Sequence, residues 1–382
     1  MDTDLYKLSM QQAVLHQFPE VQAEFEFKCR NEGKGLDLAL SCMDEIMGEI
    51  ETLDGMGFED REIEYLAKSP YLKKSYIEFL QNFRLNTDYI DLYADDKGLQ
   101  IRIAGTWSQV ILFEIYLLAI VNEIFFRNFV RKEGLNWEVG KNRLRKKADF
   151  LKGTDPGFKF AEFGTRRRFS YDWQDVVVGE LAKTGHLAGT SNVFLAMKYG
   201  LTPIGTMAHE MIEAGQALTR VCDSQKFMLE AWVKEYRGQL GTALSDTLGV
   251  DAFLRDFDLY FAKLYDGVRQ DSGNPYEFGE KIISHYEKLN IDPKTKLIVF
   301  SDSLTIPKAY EIYLYFKDRI KVSFGIGTNL TNDVGFDPLN IVIKMTKCNG
   351  QPVAKISDSP GKCMCHDEEY IKYLKSVFMI KN

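Results

Sequence analysis

The chain has 382 residues, 45% of them hydrophobic and 27% charged, with a formal net charge of −7. This is globular composition with ample core material, and with no long basic run it argues against a nucleic-acid partner. Six cysteines are too few for a disulfide scaffold at this length, so a reduced, cytoplasmic protein of two or three domains is expected.

The N-terminus carries two acids and no apolar signal stretch. Residues 4–17 read as a helix, with Asp2, Thr3 or Asp4 as its N-cap. Residues 23–30 alternate as a half-buried strand, 36–84 read as helices, and 99–103 form a second alternating strand. The most apolar span, 110–126, is interrupted by Glu114, Asn122 and Glu123, so 107–131 is expected to be a buried helix and not a membrane crossing. Residues 133–157 are polar and basic, and a domain transition is placed there.

From residue 159 the pattern changes to short apolar runs separated by helices. Helices are expected at 173–181 and 193–199, a strand at 201–204, and a helix running to 235. Further helices at 251–264, 275–289 and 306–317 alternate with strands near 238–245, 296–300 and 320–324. Such alternation implies parallel βα units, closed or irregular as a barrel. Asn349-Gly350 between strands at 341–347 and 352–356 marks a hairpin with a type I′ turn, and a helix at 367–378 follows. The boundaries drawn are 1–135 plus 340–382 for a flanking α+β domain, and 136–339 for the barrel.

His209 stands where the 201–204 strand hands over to a helix, the place where α/β enzymes put their chemistry. A lone histidine is more often a satisfied core or capping residue, so its company decides. Arg166, Arg167 and Arg168 follow Gly164, and guanidinium forks bind phosphate oxygens in pairs. Gly189-Thr190-Ser191-Asn192 opens a helix. Arg269, Asp271 and Ser272 precede Pro275, and Asp302 ends the 296–300 strand. Asp246 holds a similar place after 238–245. Gly325, Gly327, Thr328 and Asn329 follow the 320–324 strand and make a backbone-amide cradle for phosphate. Neither the dinucleotide fingerprint nor a P-loop is complete. Successive junctions of a barrel converge on one rim, so together these motifs describe a site for a phosphorylated sugar.

These residues, with Thr3 to Lys7, Glu162 to Ser170, Gly205 to Glu210, Phe324 to Leu330 and Ser357 to Lys362, occur in the order of a known family. The chain resembles the nicotinate phosphoribosyltransferases over nearly its whole length. The resemblance implies a type II phosphoribosyltransferase fold, an irregular α/β barrel flanked by a domain made from the N-terminal part and the C-terminal hairpin. It implies formation of nicotinate mononucleotide and pyrophosphate from nicotinate and phosphoribosyl pyrophosphate, coupled to ATP hydrolysis, with Mg²⁺. It also implies a homodimer with a shared active site.

By the same resemblance, His209 is the histidine that ATP phosphorylates. Tyr6, in the family often from the partner subunit, and Phe163 sandwich the pyridine ring. Thr206 and Arg269 lie near nicotinate, and Arg166 holds carboxylate or pyrophosphate. Asp271 and Asp302 hold ribose hydroxyls or Mg²⁺, while Gly325, Gly327 and Thr328 hold the 5′-phosphate. The related nicotinamide enzyme carries an acid in the segment matching Gly189 to Asn192. The neutral Ser191 is therefore expected to suit a carboxylate.

Other readings are a nicotinamide phosphoribosyltransferase, a non-catalytic binding protein on the same scaffold, or another phosphate-handling barrel. The last would want a Schiff-base lysine, and Lys321 and Lys344 lack the supporting pattern. Cys348, Cys363, Cys365 and His366 suggest zinc only weakly, because the Cys-x-Cys spacing is a poor chelate.

Overall fold

The computed structural model describes residues 2–130, 137–356 and 364–380. Among the described residues twelve strands form two sheets. In chain order they are β1 (Gln22–Cys29), β2 (Ile90–Asp95), β3 (Gly98–Thr106), β4 (Phe160–Glu162), β5 (Leu187–Thr190), β6 (Thr202–Pro203), β7 (Thr242–Leu244), β8 (Gly267–Gln270), β9 (Leu297–Phe300), β10 (Lys321–Ile326), β11 (Ile341–Cys348) and β12 (Gln351–Pro352).

The first sheet has the order β12-β11-β1-β3-β2 and is antiparallel at every pairing. Its centre is the alternating β1, whose Phe25 and Phe27 are buried while Glu24 pairs with Arg102 on β3. Asn349 and Gly350 take φ of 47° and 75° between β11 and β12, the left-handed pair that a type I′ turn needs. The second sheet has the order β6-β5-β4-β10-β9-β8-β7 and is parallel throughout. Its edges, β6 and β7, are not paired to each other, so the barrel is open. It nevertheless curls: Ile204 after β6 and Thr242 on β7 line one cavity. One continuous cluster of buried apolar side chains runs through both sheets.

Several expectations shift at the ends of elements. The helix expected at 107–131 is two pieces, Trp107–Val110 and Phe113–Phe129. By length and composition Trp107–Phe129 reaches the range of a membrane span, but 78% of its most apolar stretch is buried inside this fold, as befits a core helix. Residues 137–151 form a helix inside the region read as a transition. Its apolar positions are few, which hid it from periodicity. The helix expected at 251–264 breaks at Phe257, because Asp258 caps a new helix with bonds from the amides of Tyr260 and Phe261. The helix following His209 likewise ends at Leu218 and restarts at Ser224. Strand β2, absent from the sequence reading, is an exposed edge with little alternation.

The expected motif at 357–362 lies outside the described residues, as does Cys363. Cys348 is buried in β11, where burial pushes its thiol up to about 12.

Candidate active site at the carboxyl edge of the parallel sheet

In a parallel sheet all strands end on one edge, so the segments after them meet there. Phe163 follows β4, Ser191 follows β5, Gly205 and Thr206 follow β6, and Asp271 follows β8. With Asp4, Tyr6, Arg166, His209 and Arg269 they line a cavity of about 200 Å³. Its floor is Ala161, Thr242, Leu297, Val299 and Ser323, the inward-facing residues of four strands.

His209 is the first residue of the helix His209–Leu218 and one-fifth exposed. Its Nε2 lies 2.9 Å from Asp246 Oδ1 and 2.7 Å from Lys355 Nζ. Lys355 also donates to Asp246 Oδ2 at 2.7 Å, and Ser272 donates to the same oxygen at 2.6 Å. Burial, then the ammonium of Lys355, push the imidazole below its ordinary value, against the pull of Asp246. At neutral pH the ring is therefore uncharged, the state in which a ring nitrogen is nucleophilic. For Asp246 burial opposes ionisation, but His209 and Lys355 outweigh it and hold the carboxyl well below the usual range.

Lys355 had no signal in the sequence, where 352–356 read as the return strand of the hairpin. Instead β12 stops at Pro352. The chain then crosses to the barrel, where the amide of Ala354 donates to Gln216 and that of Ile356 to the Thr247 carbonyl.

The three consecutive arginines have three fates. Arg168 is buried and forks onto Asp2 and Glu123. Arg166 donates to Glu114 at 3.0 Å and lies over the Tyr6 ring, 5.8 Å from its centre. Arg167 is pushed down to about 10 by burial and by the neighbouring Arg166 and Arg30. Arg30, the last residue of the alternating 23–30 run and expected on its polar side, has Nε and Nη2 buried with no hydrogen-bond partner among the described residues. Buried guanidinium groups short of counter-charge leave room for an anion.

Arg269 is held by Ser301 and by Asp271 at 2.9 Å. Asp271 is kept at about 2: burial opposes ionisation, and Arg269 outweighs it. Asp302 stands at the next junction and does not line the cavity. Among the described residues, the metal-ligating groups that cluster are His209, Asp246 and Asp271, so the acid grouped with Asp271 is Asp246.

The N-terminal segment is part of the site. Leu5 N donates to the Ser191 carbonyl, and Val193 N to that of Thr3, so this chain's own Tyr6 lines its own cavity. Lys7, on the same helix, is wholly buried between Glu114 at 2.6 Å and Glu210 at 2.9 Å. Asn192 acts as an ordinary N-cap, accepting from the Leu195 amide. Thr206 lines the cavity, and its carbonyl accepts from Ser9 at 2.7 Å.

Gly325 and Gly327 are explained first by packing. A β-carbon on Gly325 would overlap the Phe163 ring, and one on Gly327 would lie 2.9 Å from the Phe163 carbonyl oxygen. Thr328 begins a single short turn beyond them. Gly325→Ala is expected to cost about 1–3 kcal/mol, because the aromatic wall of the cavity has to move. Chemical unfolding measures this, and a variant as stable as the parent would show that the ring does not press on that backbone.

An open parallel barrel that brings a neutral histidine, the Arg269–Asp271 pair, Arg166 and aromatic walls to one cavity is the architecture of an enzyme acting on small anionic molecules. Comparison with known proteins narrows the class. Residues 158–382 match the nicotinate phosphoribosyltransferase family model, and residues 1–122 match the model of that family's N-terminal domain. The chain is 52% identical over 389 residues to the nicotinate phosphoribosyltransferase of Burkholderia mallei, covering 100% of this chain and 96% of that one. The crystal structure of the Vibrio cholerae nicotinate phosphoribosyltransferase superposes with a TM-score of 0.95 at 40% identity, covering 100% of this chain and 93% of that one. That from Porphyromonas gingivalis gives 0.91 at 37%, covering 99% and 98%. The chain belongs to the nicotinate phosphoribosyltransferase family.

Proposed function

We propose that this chain joins nicotinate to the ribose of phosphoribosyl pyrophosphate, releasing pyrophosphate, and that ATP drives the reaction through phosphorylation of His209. The observation that carries it is His209 itself: a neutral imidazole flanked by Asp246 and Lys355, in the cavity that the Tyr6 and Phe163 rings also line.

The pyridine nitrogen attacks the anomeric carbon as the bond to the pyrophosphate oxygen breaks, and the electron pair leaves with pyrophosphate. The transition state is cationic at the sugar, so ionised Asp271 suits the ribose side. Arg166, Arg167 and Arg30 suit the phosphates. The nicotinate ring lies between Tyr6 and Phe163, with Ser191, Thr206 and Arg269 near its carboxylate. The loop of Gly325, Gly327 and Thr328 receives the 5′-phosphate.

Magnesium, where bound, would supply charge neutralisation for the leaving pyrophosphate. Asp271 fits it as an ionised oxygen ligand at the cavity, with Asp302 at the adjoining junction. Lys355 already occupies the Asp246 side, so a resident ion held by protein ligands alone fits less well. A phosphoryl group on the His209 ring would lie beside the Lys355 ammonium, which is placed to neutralise it. A cytoplasmic homodimer serving NAD salvage completes the proposal.

The test is direct. Purified protein is incubated with phosphoribosyl pyrophosphate, ATP and Mg²⁺, and nicotinate, nicotinamide or quinolinate is offered. Nicotinate mononucleotide is the product expected. A nicotinamide product would favour the sister activity, and no product at all would favour a binding protein on this scaffold. Ser191→Asp is expected to shift relative kcat/KM toward nicotinamide by about tenfold or more, since it sets a second acid against the carboxylate. An unchanged ratio would count against Ser191 as the selecting residue.

A further inference from the structure

Asp4 has no part in the chemistry so far, yet it lines the cavity. It precedes the first helix, Leu5–Gln17, but its side chain does not cap that helix. Instead it is 2% exposed and accepts a 2.8 Å hydrogen bond from the Ser191 hydroxyl, which faces the same cavity. Backbone pairing between Asp4 and Asn192 holds the two segments together.

A serine hydroxyl has one proton to give. With Asp4 ionised, Ser191 spends that proton on Asp4 and turns only lone pairs to the cavity. A lone pair backed by a carboxylate repels a second carboxylate and suits the NH₂ of a carboxamide. With Asp4 protonated, its O–H donates to Ser191 Oγ, and the serine O–H is free to donate into the cavity. That face suits a carboxylate. One proton thus reverses what Ser191 offers.

We propose that Asp4 sets the polarity of Ser191, and that nicotinate binds with uptake of one proton from solvent by the Asp4–Ser191 pair. The inference rests on reading the cavity as the nicotinate site, and it makes Asp4 a specificity-determining residue beside Ser191. The groups facing Asp4 are Asp2 on its own segment, Tyr6 on the first helix, Glu162 at the end of β4, and Arg166 on the loop after it. Burial raises the Asp4 carboxyl above its ordinary value, against Thr165, Arg166 and Ser191, and Asp2 adds repulsion. Glu162 is itself pushed up to about 7 by burial. Arg166 divides its charge between this acid and Glu114. An incoming carboxylate adds one more negative charge, which favours the proton on Asp4.

Nicotinate and nicotinamide are titrated calorimetrically into the full chain at several pH values, each in two buffers of different ionisation enthalpy. Where free Asp4 is ionised, nicotinate is expected to take up about one proton, and its Kd to rise up to tenfold per pH unit. Nicotinamide is expected to take up none, so the ratio of the two Kd values changes with pH. Asp4→Asn, whose amide donates to Ser191 without titrating, is expected to bind nicotinate with no uptake and a flat pH profile. Wild-type binding without proton uptake, a pH-independent Kd ratio, or equal uptake in Asp4→Asn would overturn the proposal. If the wild type turns nicotinate over but takes up no proton on binding it, this inference alone fails. If it neither binds nicotinate nor turns it over, the substrate reading fails with it.

Discussion

His209→Ala is expected to abolish the acceleration given by ATP while leaving a slow, ATP-independent synthesis of the mononucleotide. In the proposed reaction the His209 imidazole takes the phosphoryl, with Lys355 2.7 Å from its Nε2 to balance the added charge. Without it, ATP has no acceptor. On the proposed reading other residues hold the ribose, the pyridine and the leaving pyrophosphate, so that geometry is expected to survive. Removing preorganised charge from a transition state typically lowers the rate by about a hundred- to a thousand-fold, and a loss of that size in the ATP-supported rate is expected. Steady-state rates with and without ATP measure it. Equal ATP stimulation in variant and parent would sink the phosphohistidine. His209→Asn separates packing from chemistry, since it keeps a polar side chain in place without a phosphorylatable nitrogen.

Lys7→Met is expected to destabilise the fold by about 3–5 kcal/mol, because it leaves two buried carboxylates sharing no ammonium. Lys7 lies wholly inside, between Glu114 and Glu210, and Glu114 also receives Arg166. For Glu114 burial opposes ionisation, but Lys7 and Arg166 outweigh it and hold the carboxyl low. Glu210, with Lys7 as its cation, is already pushed up to about 7 by burial.

The sign with pH follows. In Lys7→Met the Glu210 carboxyl rises further above its unfolded value, so the folded state holds a proton that the unfolded state has lost. Stability is then greatest at acid pH and falls as pH rises above the unfolded value. The loss is expected to be smaller near pH 5 than near pH 8, and Lys7→Met with Glu210→Gln is expected to recover part of it. Chemical unfolding at both pH values checks this. A single variant within about 1 kcal/mol of the parent at pH 8 would show that the buried network does not hold the N-terminal helix to the His209 helix.

Much of this was legible from local pattern. Period-two alternation revealed β1 and β3, and Asn349-Gly350 revealed the hairpin, because these signals depend on neighbours in sequence. Edge strand β2 turns only Ile90 and Leu92 to the core, and the 137–151 helix carries few apolar positions; each offers too short a core-facing stripe to be read from sequence. The site was half legible. His209, Arg166, Asp271, Phe163 and Ser191 sit in βα junctions and Arg269 near the end of β8, and a parallel sheet collects its strand ends on one edge. Asp302 was read by the same rule but stands one junction aside from the cavity. Lys355, Arg30, Asp4 and Glu114 come from the hairpin's exit, the end of β1, the N-terminus and a core helix. No local periodicity connects those places.

The sequence by itself determined the βα alternation, the hairpin and the rim of polar junctions, since each is encoded within about a dozen residues. Only the tertiary structure decided which charges meet: that Lys355 stands on His209, that Lys7 bridges two acids, and that the serine expected to favour a carboxylate has a carboxylate of its own behind it. The reason is physical. The energy of a buried charge is set by its partners across space, and here those partners are as far as 203 residues apart along the chain.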